Sequence, residues 1–231
     1  MADWLRIKTL PEDRFALDRK SRYYQYWGKY SPFLRFIPSS QRYQITINHE
    51  KQFIWFRVPK VCSRSIYWHL KGHTTLDCDH PYNIFYPPEI YRHYFKFAFV
   101  RNPWDRFISC WNNKVIHSNL YQFDPSTHKK MQRLENFLDY VSTLDIENCD
   151  GHLRLQCKLI DLNHIDFIGR FENFYGDYQN VCQRLDIPIE DLGHRLKSDR
   201  KGYRSYFNDG LAEKVAAIYR KDIQIFSYQF E

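Results

Sequence analysis

"FIWFRVPKVCSRSIYWHL", residues 53–70, sets the architecture that we expect for this chain. An apolar segment passes through Pro59 and Lys60 into a small polar cluster, and a segment with apolar residues at helical spacing follows. A strand that turns into a helix presents unpaired backbone N–H groups at the helix N-terminus, where an anion can bind. The stretch therefore predicts a strand, a turn that cradles phosphate or sulfate, and a helix that ends near Gly72.

A second unit of the same kind lies in "YFKFAFVRNPWDRFISCWNNKVIH", residues 94–117. A continuous apolar run at 97–100 meets Arg101, and an amphipathic pattern begins at Pro103, a residue suited to the first helical turn. In an open α/β sheet, ligands bind at the carboxyl ends of the strands, and both turns would lie there. Two such turns predict a ligand with two separated anionic groups.

The rest of the chain alternates between short strands and helices. Residues 43–58 predict two strands around a polar turn, and residues 157–170 predict one or two more. Helical patterns cover residues 132–144, 172–187 and 209–226. Strands that alternate with helices predict an α/β fold with a mostly parallel central sheet flanked by helices.

The composition bounds the class of protein. A chain of 231 residues with 43% hydrophobic residues has enough apolar material for a single well-buried domain. Thirty-four Lys and Arg against 27 Asp and Glu give a net charge of +7, and the pI is about 9.0. This excess predicts an anionic partner, which includes nucleotides, nucleic acids, acidic polysaccharides and membrane surfaces.

The cysteines and the N-terminal sequence indicate the cellular compartment that we expect for the protein. Six cysteines are scattered and form no CxxC pair, so neither a zinc site nor a disulfide framework is predicted. "MADWLRIKTLPEDRF" lacks the apolar core of a signal peptide, and no stretch approaches the roughly 20 apolar residues that span a membrane. We therefore expect a cytoplasmic protein with no transmembrane segment. The alternative is a lumenal fragment of a membrane-anchored enzyme, which would have the same features.

Residues 1–40 are rich in Arg, Tyr and Trp and show no long periodic pattern. We expect them to form a basic aromatic arm laid over a domain of residues 41–231. Positive charge interleaved with Tyr and Trp at 19–35 leaves an RNA-binding module as an alternative, although no RNP, KH or zinc pattern accompanies it. A nucleotide kinase is disfavoured because the sequence has no GxxxxGK[ST] loop and Lys60 precedes the serines.

Two segments together, "VPKVCSRSI" and "FVRNPWDRFISCW", resemble the paired signature of sulfotransferases that use 3′-phosphoadenosine 5′-phosphosulfate (PAPS), and most of all the carbohydrate sulfotransferases of family 2. "HIDFIGRFENFYGDYQNVCQRL" is similar to the region that follows in this family, and "RKG" at 200–202 is similar to a loop that closes over the 3′-phosphate. The resemblance implies a P-loop-like, nucleotide-binding sulfotransferase fold for residues 41–231. It also implies PAPS as co-substrate without a metal, and a carbohydrate hydroxyl as acceptor. A small alcohol or phenol is the alternative acceptor, and no nucleic acid partner is implied.

The resemblance assigns roles to individual residues. Lys60 would neutralise the transferring sulfonate and its leaving oxygen. The 5′-phosphosulfate would be bound by the residues just after it, which are Cys62, Ser63, Arg64 and Ser65. The 3′-phosphate would be bound from the second motif and a downstream loop, by Arg101, Ser109, Arg200, Lys201 and Gly202. Cys62 stands where the family usually has a glycine, and Arg64 stands where it has a threonine.

Sulfuryl transfer needs a base as well as fixed positive charge. Like phosphoryl transfer, it passes in line through a loose transition state, so positioning and the charge of Lys60 at the leaving phosphate carry most of the catalysis. The acceptor hydroxyl must also lose its proton, and the family commonly places a His or a carboxylate for this purpose between the two motifs. His80 is the predicted base, with His73 or a carboxylate as the alternative, whereas His93 is more simply a surface or packing residue. Glu172, in the downstream family region, is predicted to have a structural role.

Overall fold

The structure is a computed structural model, and it describes residues 39–76, 82–190 and 201–230. The predicted arm therefore lies outside the described residues, except for Ser39 and Ser40. Within these ranges the strands are β1 (Tyr43–Asn48), β2 (Phe53–Phe56), β3 (Tyr82–Ile84), β4 (Phe95–Val100) and β5 (Phe167–Arg170). They form one five-stranded sheet in the order β3-β1-β2-β4-β5.

The sheet is mixed rather than mostly parallel as predicted. β1 pairs antiparallel with both β2 and β3, whereas β4 pairs parallel with β2 and β5. The hairpin of β1 and β2 was expected from the polar turn, and a turn this short can join only antiparallel strands. The prediction of a mostly parallel sheet missed the second antiparallel pairing, which joins β1 to β3. β3 has only three residues and lies in a loop with little strand pattern.

The α-helices of the described residues lie between β2 and β3, between β4 and β5, and after β5. Their bounds in the described residues are α1 (Ser63–His73), α2 (Pro103–Trp111), α3 (Pro125–Met131), α4 (Leu134–Ser142), α5 (Phe174–Leu185), α6 (Asp209–Ile218) and α7 (Arg220–Phe226). A π-helical turn, Asn112–Ile116, extends α2. Pro103 occupies the first turn of α2, as predicted from its fixed φ.

Two helix ends differ from the sequence expectation. α1 ends one residue beyond Gly72, and it is closed by Thr74, whose N–H and Oγ1 both donate to the Leu70 carbonyl at 2.7 Å. The pattern at 209–226 forms two helices rather than one, because the backbone leaves helical geometry at Tyr219. Local sequence did not reveal this break, since it contains neither Gly nor Pro.

The core is built from aromatic side chains on the two central parallel strands. The rings of Trp55 on β2 and Phe97 on β4 stack with centroids 6.2 Å apart. Phe99 contacts Tyr178 of α5 and lies directly over Gly169 of β5, where an added Cβ would come within 2.3 Å of the phenyl ring. Gly169 is therefore required for this close approach of β5 to β4.

The sheet places the two predicted anion-binding turns together. β2 and β4 are parallel neighbours, so the segments that follow Phe56 and Val100 leave the same edge of the sheet side by side. The described helices are too short and too polar for any of them to cross a membrane.

Candidate active site

The turn between β2 and α1 is strained. Lys60 and Cys62 have φ values of 74° and 64°, in the left-handed region that side chains other than glycine rarely adopt. Each such residue costs roughly 1–2 kcal/mol. The Ser63 hydroxyl donates to the Val58 carbonyl at 2.5 Å, which closes the turn over the start of α1. Strain of this kind persists where the surrounding contacts fix the backbone, and it is frequent at ligand-binding turns.

The Lys60 ammonium group lies half-buried in this turn. Burial, together with smaller effects of the positive charges of Lys114, Arg101 and Arg64, lowers the pKa of Lys60 to about 8. Among the described residues, no carboxylate lies within ion-pair distance of its amine. A partly desolvated cation among other cations is the electrostatic setting in which an anionic ligand binds strongly.

Arg101 ties the two turns to each other. Its Nη1 donates to the Lys60 carbonyl at 2.9 Å, and its Nε donates to Asp105 at 2.7 Å. The guanidinium carbon lies 3.7 Å from the centre of the Phe171 ring. The backbone of Arg101 is held by Gln156, which accepts from its N–H at 2.9 Å and donates to its carbonyl at 2.8 Å. These contacts fix the carbonyl of Lys60, and hence the direction in which its side chain leaves the backbone.

Arg106 supports the turn between β2 and α1 through hydrogen bonds to backbone carbonyls, and the sequence analysis did not single it out. The residue is only 2% exposed, and its guanidinium donates to the carbonyls of Pro59, Arg154 and Gly151 at 3.2, 2.9 and 2.8 Å. The sequence does contain a signal, because position 106 falls on the same buried face of α2 as Pro103, Phe107 and Cys110. An arginine on an apolar face needs carbonyl or carboxylate partners.

Lys114 is a second residue that sequence reasoning missed. It is half-buried in the π-helical turn that extends α2, and its charge acts on the Lys60 ammonium group. Single π-helical turns occur frequently at functional sites. The basic character of the site is thus supplied by α2 and its extension as well as by the first turn.

Several predicted ligands of the phosphosulfate lie at the start of α1. Ser63 and Cys62 are half-buried, Ser65 is buried, and Arg64 is exposed. Burial raises the pKa of the Cys62 thiol to about 12, so the thiol is neutral near pH 7 and is not a nucleophile. The helix N-terminus brings backbone N–H donors to the same place.

The residues predicted to hold the 3′-phosphate come from several elements, with Arg101 in the turn after β4, Ser109 on α2, and Lys201 and Gly202 in the segment 201–207. Ser109 is half-buried on α2, and its hydroxyl makes no hydrogen bond to any residue the structure describes. Lys201 and Gly202 are exposed and lead into a 3₁₀ turn, Tyr203–Tyr206, that packs against α2 through the rings of Tyr206 and Trp111. Arg200 lies outside the described residues.

Glu172 has the structural role that the sequence analysis preferred. Its carboxylate accepts from the Asn102 N–H at 2.6 Å and from the Tyr228 hydroxyl at 3.1 Å. Asn102 in turn caps α2, since its side chain accepts from the Trp104 N–H at 3.1 Å, and it donates to the Gln229 carbonyl at 2.9 Å. The second turn is therefore held by the C-terminal tail of the chain.

Two of the three histidines considered for the base lie in the described part of the chain. His80 lies outside the described residues. His73 is at the opposite end of α1, about 15 Å from its first residue at 1.5 Å per residue, and this distance removes it as a base for chemistry at Lys60. His93 is exposed and accepts a hydrogen bond from Arg92 Nε at 3.0 Å. His80 stays the predicted base, with a carboxylate as the alternative.

Comparison with known proteins was consistent with this arrangement. Residues 43–229 match the model of the Sulfotransferase family. Carbohydrate sulfotransferase 14 of Mus musculus is 29% identical over 87% of this chain and 62% of the relative's length. The Homo sapiens protein of the same name is 29% identical over 70% of this chain and 49% of its own length, and the Danio rerio protein is 26% identical over 62% and 48%. The chain thus spans less than two thirds of each relative, and no solved structure matches it.

Proposed function

Because the chain belongs to the sulfotransferase family, as the paired motifs predicted, we propose that it transfers the sulfuryl group of PAPS to a hydroxyl group of a carbohydrate. The family match covers both turns and the sheet that carries them. The carbohydrate acceptor is supported by the names of the relatives, which are carbohydrate sulfotransferases. A small alcohol or phenol is the alternative acceptor.

The observation that supports this proposal most directly is the environment of the Lys60 ammonium group. Its ammonium group is half-buried, surrounded by cations, and held in a strained turn by the Arg101 guanidinium. In the proposed reaction the acceptor oxygen bonds to sulfur while the bond from sulfur to the 5′-phosphate oxygen breaks. Negative charge develops on that leaving oxygen, and Lys60 neutralises it without reorganisation because the turn already fixes its position.

The turn would act on PAPS as a P-loop acts on a nucleotide phosphate. Backbone N–H groups at the start of α1, with the hydroxyls of Ser63 and Ser65, would bind the 5′-phosphosulfate. Ser109 and the segment from Arg200 to Gly202 would bind the 3′-phosphate. Arg101 would bind the 3′-phosphate, and the bond from its guanidinium to the Lys60 carbonyl would also hold the first turn in place.

The acceptor proton would pass to a base during transfer. We propose His80 for this role, because it lies between the two motifs and because His73 is at the far end of α1 from Lys60. A His80→Ala variant is then expected to lose turnover and keep its affinity for adenosine 3′,5′-bisphosphate. Retained turnover in this variant would move the role to a carboxylate.

The proposal is tested first by binding of the product, adenosine 3′,5′-bisphosphate, without added metal. At a concentration a hundredfold above its dissociation constant, a ligand that binds only the folded state should raise the melting temperature by about 5–10 °C for a chain of this size. No shift at millimolar product would contradict the proposal. Incubation of the protein with PAPS and panels of polysaccharides, sugars and phenols then identifies the class of acceptor.

The role of Lys60 is tested by Lys60→Ala, with Lys71→Ala as the matched control on the same helix-turn unit. Lys71 is exposed and contacts the rings of Tyr67 and Trp68 instead. We expect Lys60→Ala to lower kcat by at least about a hundredfold, the scale seen when one transition-state donor is removed, while product affinity changes much less. Equal losses of turnover and product affinity would refute the assigned role, and Lys71→Ala should leave both unchanged.

A further inference from the structure

A cluster of metal-binding side chains lies at the far end of α1 from Lys60. His69 and His73 are four residues apart on this helix, so both imidazoles project from the same face, and their ring centroids are 4.8 Å apart. Glu190, in the segment that follows α5, faces them. His73 Nε2 lies 2.7 Å from Oε1 of Glu190, and His69 Nε2 lies 3.9 Å from Oε2.

These three residues offer ligand atoms at the spacing that a metal ion requires. One donor atom from each residue lies within 4.8 Å of the others. Two atoms bound to Zn²⁺ at about 2.0–2.1 Å in tetrahedral geometry lie roughly 3.3 Å apart. The observed distances bracket this value, so a movement of about 1 Å in the Glu190 side chain and in His73 is enough to bring all three onto one ion.

A second observation is independent of the spacing. The side chain of His69 is fully buried, yet its Nε2 atom has no hydrogen-bond partner among the described residues. A buried polar atom without a partner costs about 1–3 kcal/mol, so native proteins rarely keep one without a reason. This nitrogen lies 3.9 Å from Oε2 of Glu190, and the His69 ring lies beside the ring of His73. A metal ion bound between these groups would remove the cost.

The other nitrogen of His69 is held as in known metal sites. Nδ1 lies 2.9 Å from the hydroxyl of Tyr178, which is buried in α5. When Nδ1 carries the proton and donates it to this hydroxyl, the lone pair remains on Nε2, the atom that faces Glu190.

We propose that His69, His73 and Glu190 bind one divalent transition metal ion, of which Zn²⁺ is the best match, with water in the fourth position. Two imidazoles and one carboxylate form a ligand set that suits Zn²⁺ and disfavours Mg²⁺ or Ca²⁺, which prefer oxygen ligands. The scattered cysteines of the sequence gave no indication of this site, because none of its ligands is a thiol. The ion would fasten the segment after α5 to the end of α1, apart from the proposed sulfuryl-transfer chemistry.

The test uses the full chain without an affinity tag, after removal of metals with a chelator. Titration with Zn²⁺ followed by calorimetry should give one ion per chain, and a hundredfold excess over the dissociation constant should raise the melting temperature by about 5–10 °C. His73→Ala and Glu190→Gln should each weaken binding by at least about tenfold. Both positions reach the surface, so these variants are expected to fold.

His93→Ala is the matched control, because His93 is an exposed histidine outside the cluster. Its affinity for Zn²⁺ should equal that of the unaltered chain. Visible absorption of the Co²⁺-loaded protein adds a readout of the ligand set, and the bands should be lost in His73→Ala. Absence of Zn²⁺ binding, or equal binding by His73→Ala, Glu190→Gln and the unaltered chain, would overturn the proposal and leave a plain His73–Glu190 ion pair. None of these measurements depends on sulfotransferase activity.

Discussion

Lys60 is placed where burial opposes its charge. Burial lowers its pKa from the ordinary 10.5 to about 8, so the folded state releases the ammonium proton more readily than the unfolded chain. Below pH 8 both states are protonated, and the folded state bears a cost of at most about 3 kcal/mol for the desolvated charge. Between pH 8 and 10.5 the folded state loses this proton first, so the cost shrinks as pH rises.

We therefore expect Lys60→Met to be more stable than the unaltered chain at pH 7, by up to about 3 kcal/mol, although it is inactive. The difference in the free energy of unfolding should decrease steadily from pH 8 to 10.5, and denaturant melts across this range measure it. Lys71→Met, at an exposed position, should differ from the unaltered chain by less than about 0.5 kcal/mol at every pH. A stability gain for Lys60→Met that does not vary with pH would show that the charge is not its cause.

At the scale of residues, the sequence was enough to identify the site residues that belong to the two motifs. Lys60 and Arg101 were singled out because each follows an apolar strand, and the structure brings them into contact. Arg106 and Lys114 were missed because their roles depend on distant partners, such as the carbonyl of Gly151 and the ammonium of Lys60. Pattern alone does not reveal which carbonyls a buried arginine will meet. The ligand roles of the individual site residues stay predictions.

At the scale of elements, α2 connects the second turn to the first through Arg106. We expect Arg106→Ala to lower the free energy of unfolding by about 3–5 kcal/mol, because it opens a cavity and leaves the carbonyls of Pro59, Gly151 and Arg154 without a donor. Arg133→Ala, whose side chain is 77% exposed, is the matched control and should cost less than about 0.5 kcal/mol. Similar losses in the two variants, measured in urea, would contradict this role.

The elements were predictable where a local pattern defines them. The hairpin of β1 and β2, the strand β4 and the helix after Pro103 all lie where periodicity and turn residues placed them. The break at Tyr219 was not predictable, because it depends on tertiary contacts. The Tyr219 hydroxyl donates to the Leu153 carbonyl at 2.9 Å, and the buried carboxylate of Asp222 accepts from the N–H groups of Gln156 and Cys157 at 2.7 and 2.9 Å. These bonds hold Tyr219 and the start of α7 against residues 153–157.

At the scale of the whole molecule, the last residues join three separate parts of the fold. The Tyr228 hydroxyl donates to Glu172, and the ring lies 4.8 Å from the guanidinium carbon of Arg170 on β5. The Phe230 ring contacts Trp104 on α2 at a centroid distance of 5.4 Å. It also contacts Tyr203 and Phe207 of the 201–207 segment at 5.8 and 5.7 Å. The tail thus holds that segment beside α2.

We expect deletion of residues 228–231 to lower the melting temperature by at least about 4 °C, since it removes the buried side chain of Tyr228, the ring of Phe230 that packs on Trp104, and the carbonyl that pairs with Asn102. Scanning calorimetry measures the change. Gln229→Ala keeps the backbone carbonyl that accepts from Asn102, so it should melt within about 1 °C of the unaltered chain. If the truncated chain melts with the unaltered one, the tail does not stabilise the domain.

The parallel pairings also govern how the chain is assembled during synthesis. Trp55 of β2 pairs with Phe97 of β4, and Phe97 pairs with Phe167 of β5. Each later strand is therefore synthesised long after the strand with which it pairs. Until β5 emerges, the phenylalanine-rich strands of the nascent chain are exposed to one another and to other chains, which favours aggregation. We expect growth at low temperature to increase the soluble yield, because hydrophobic association between exposed strands of different chains weakens on cooling.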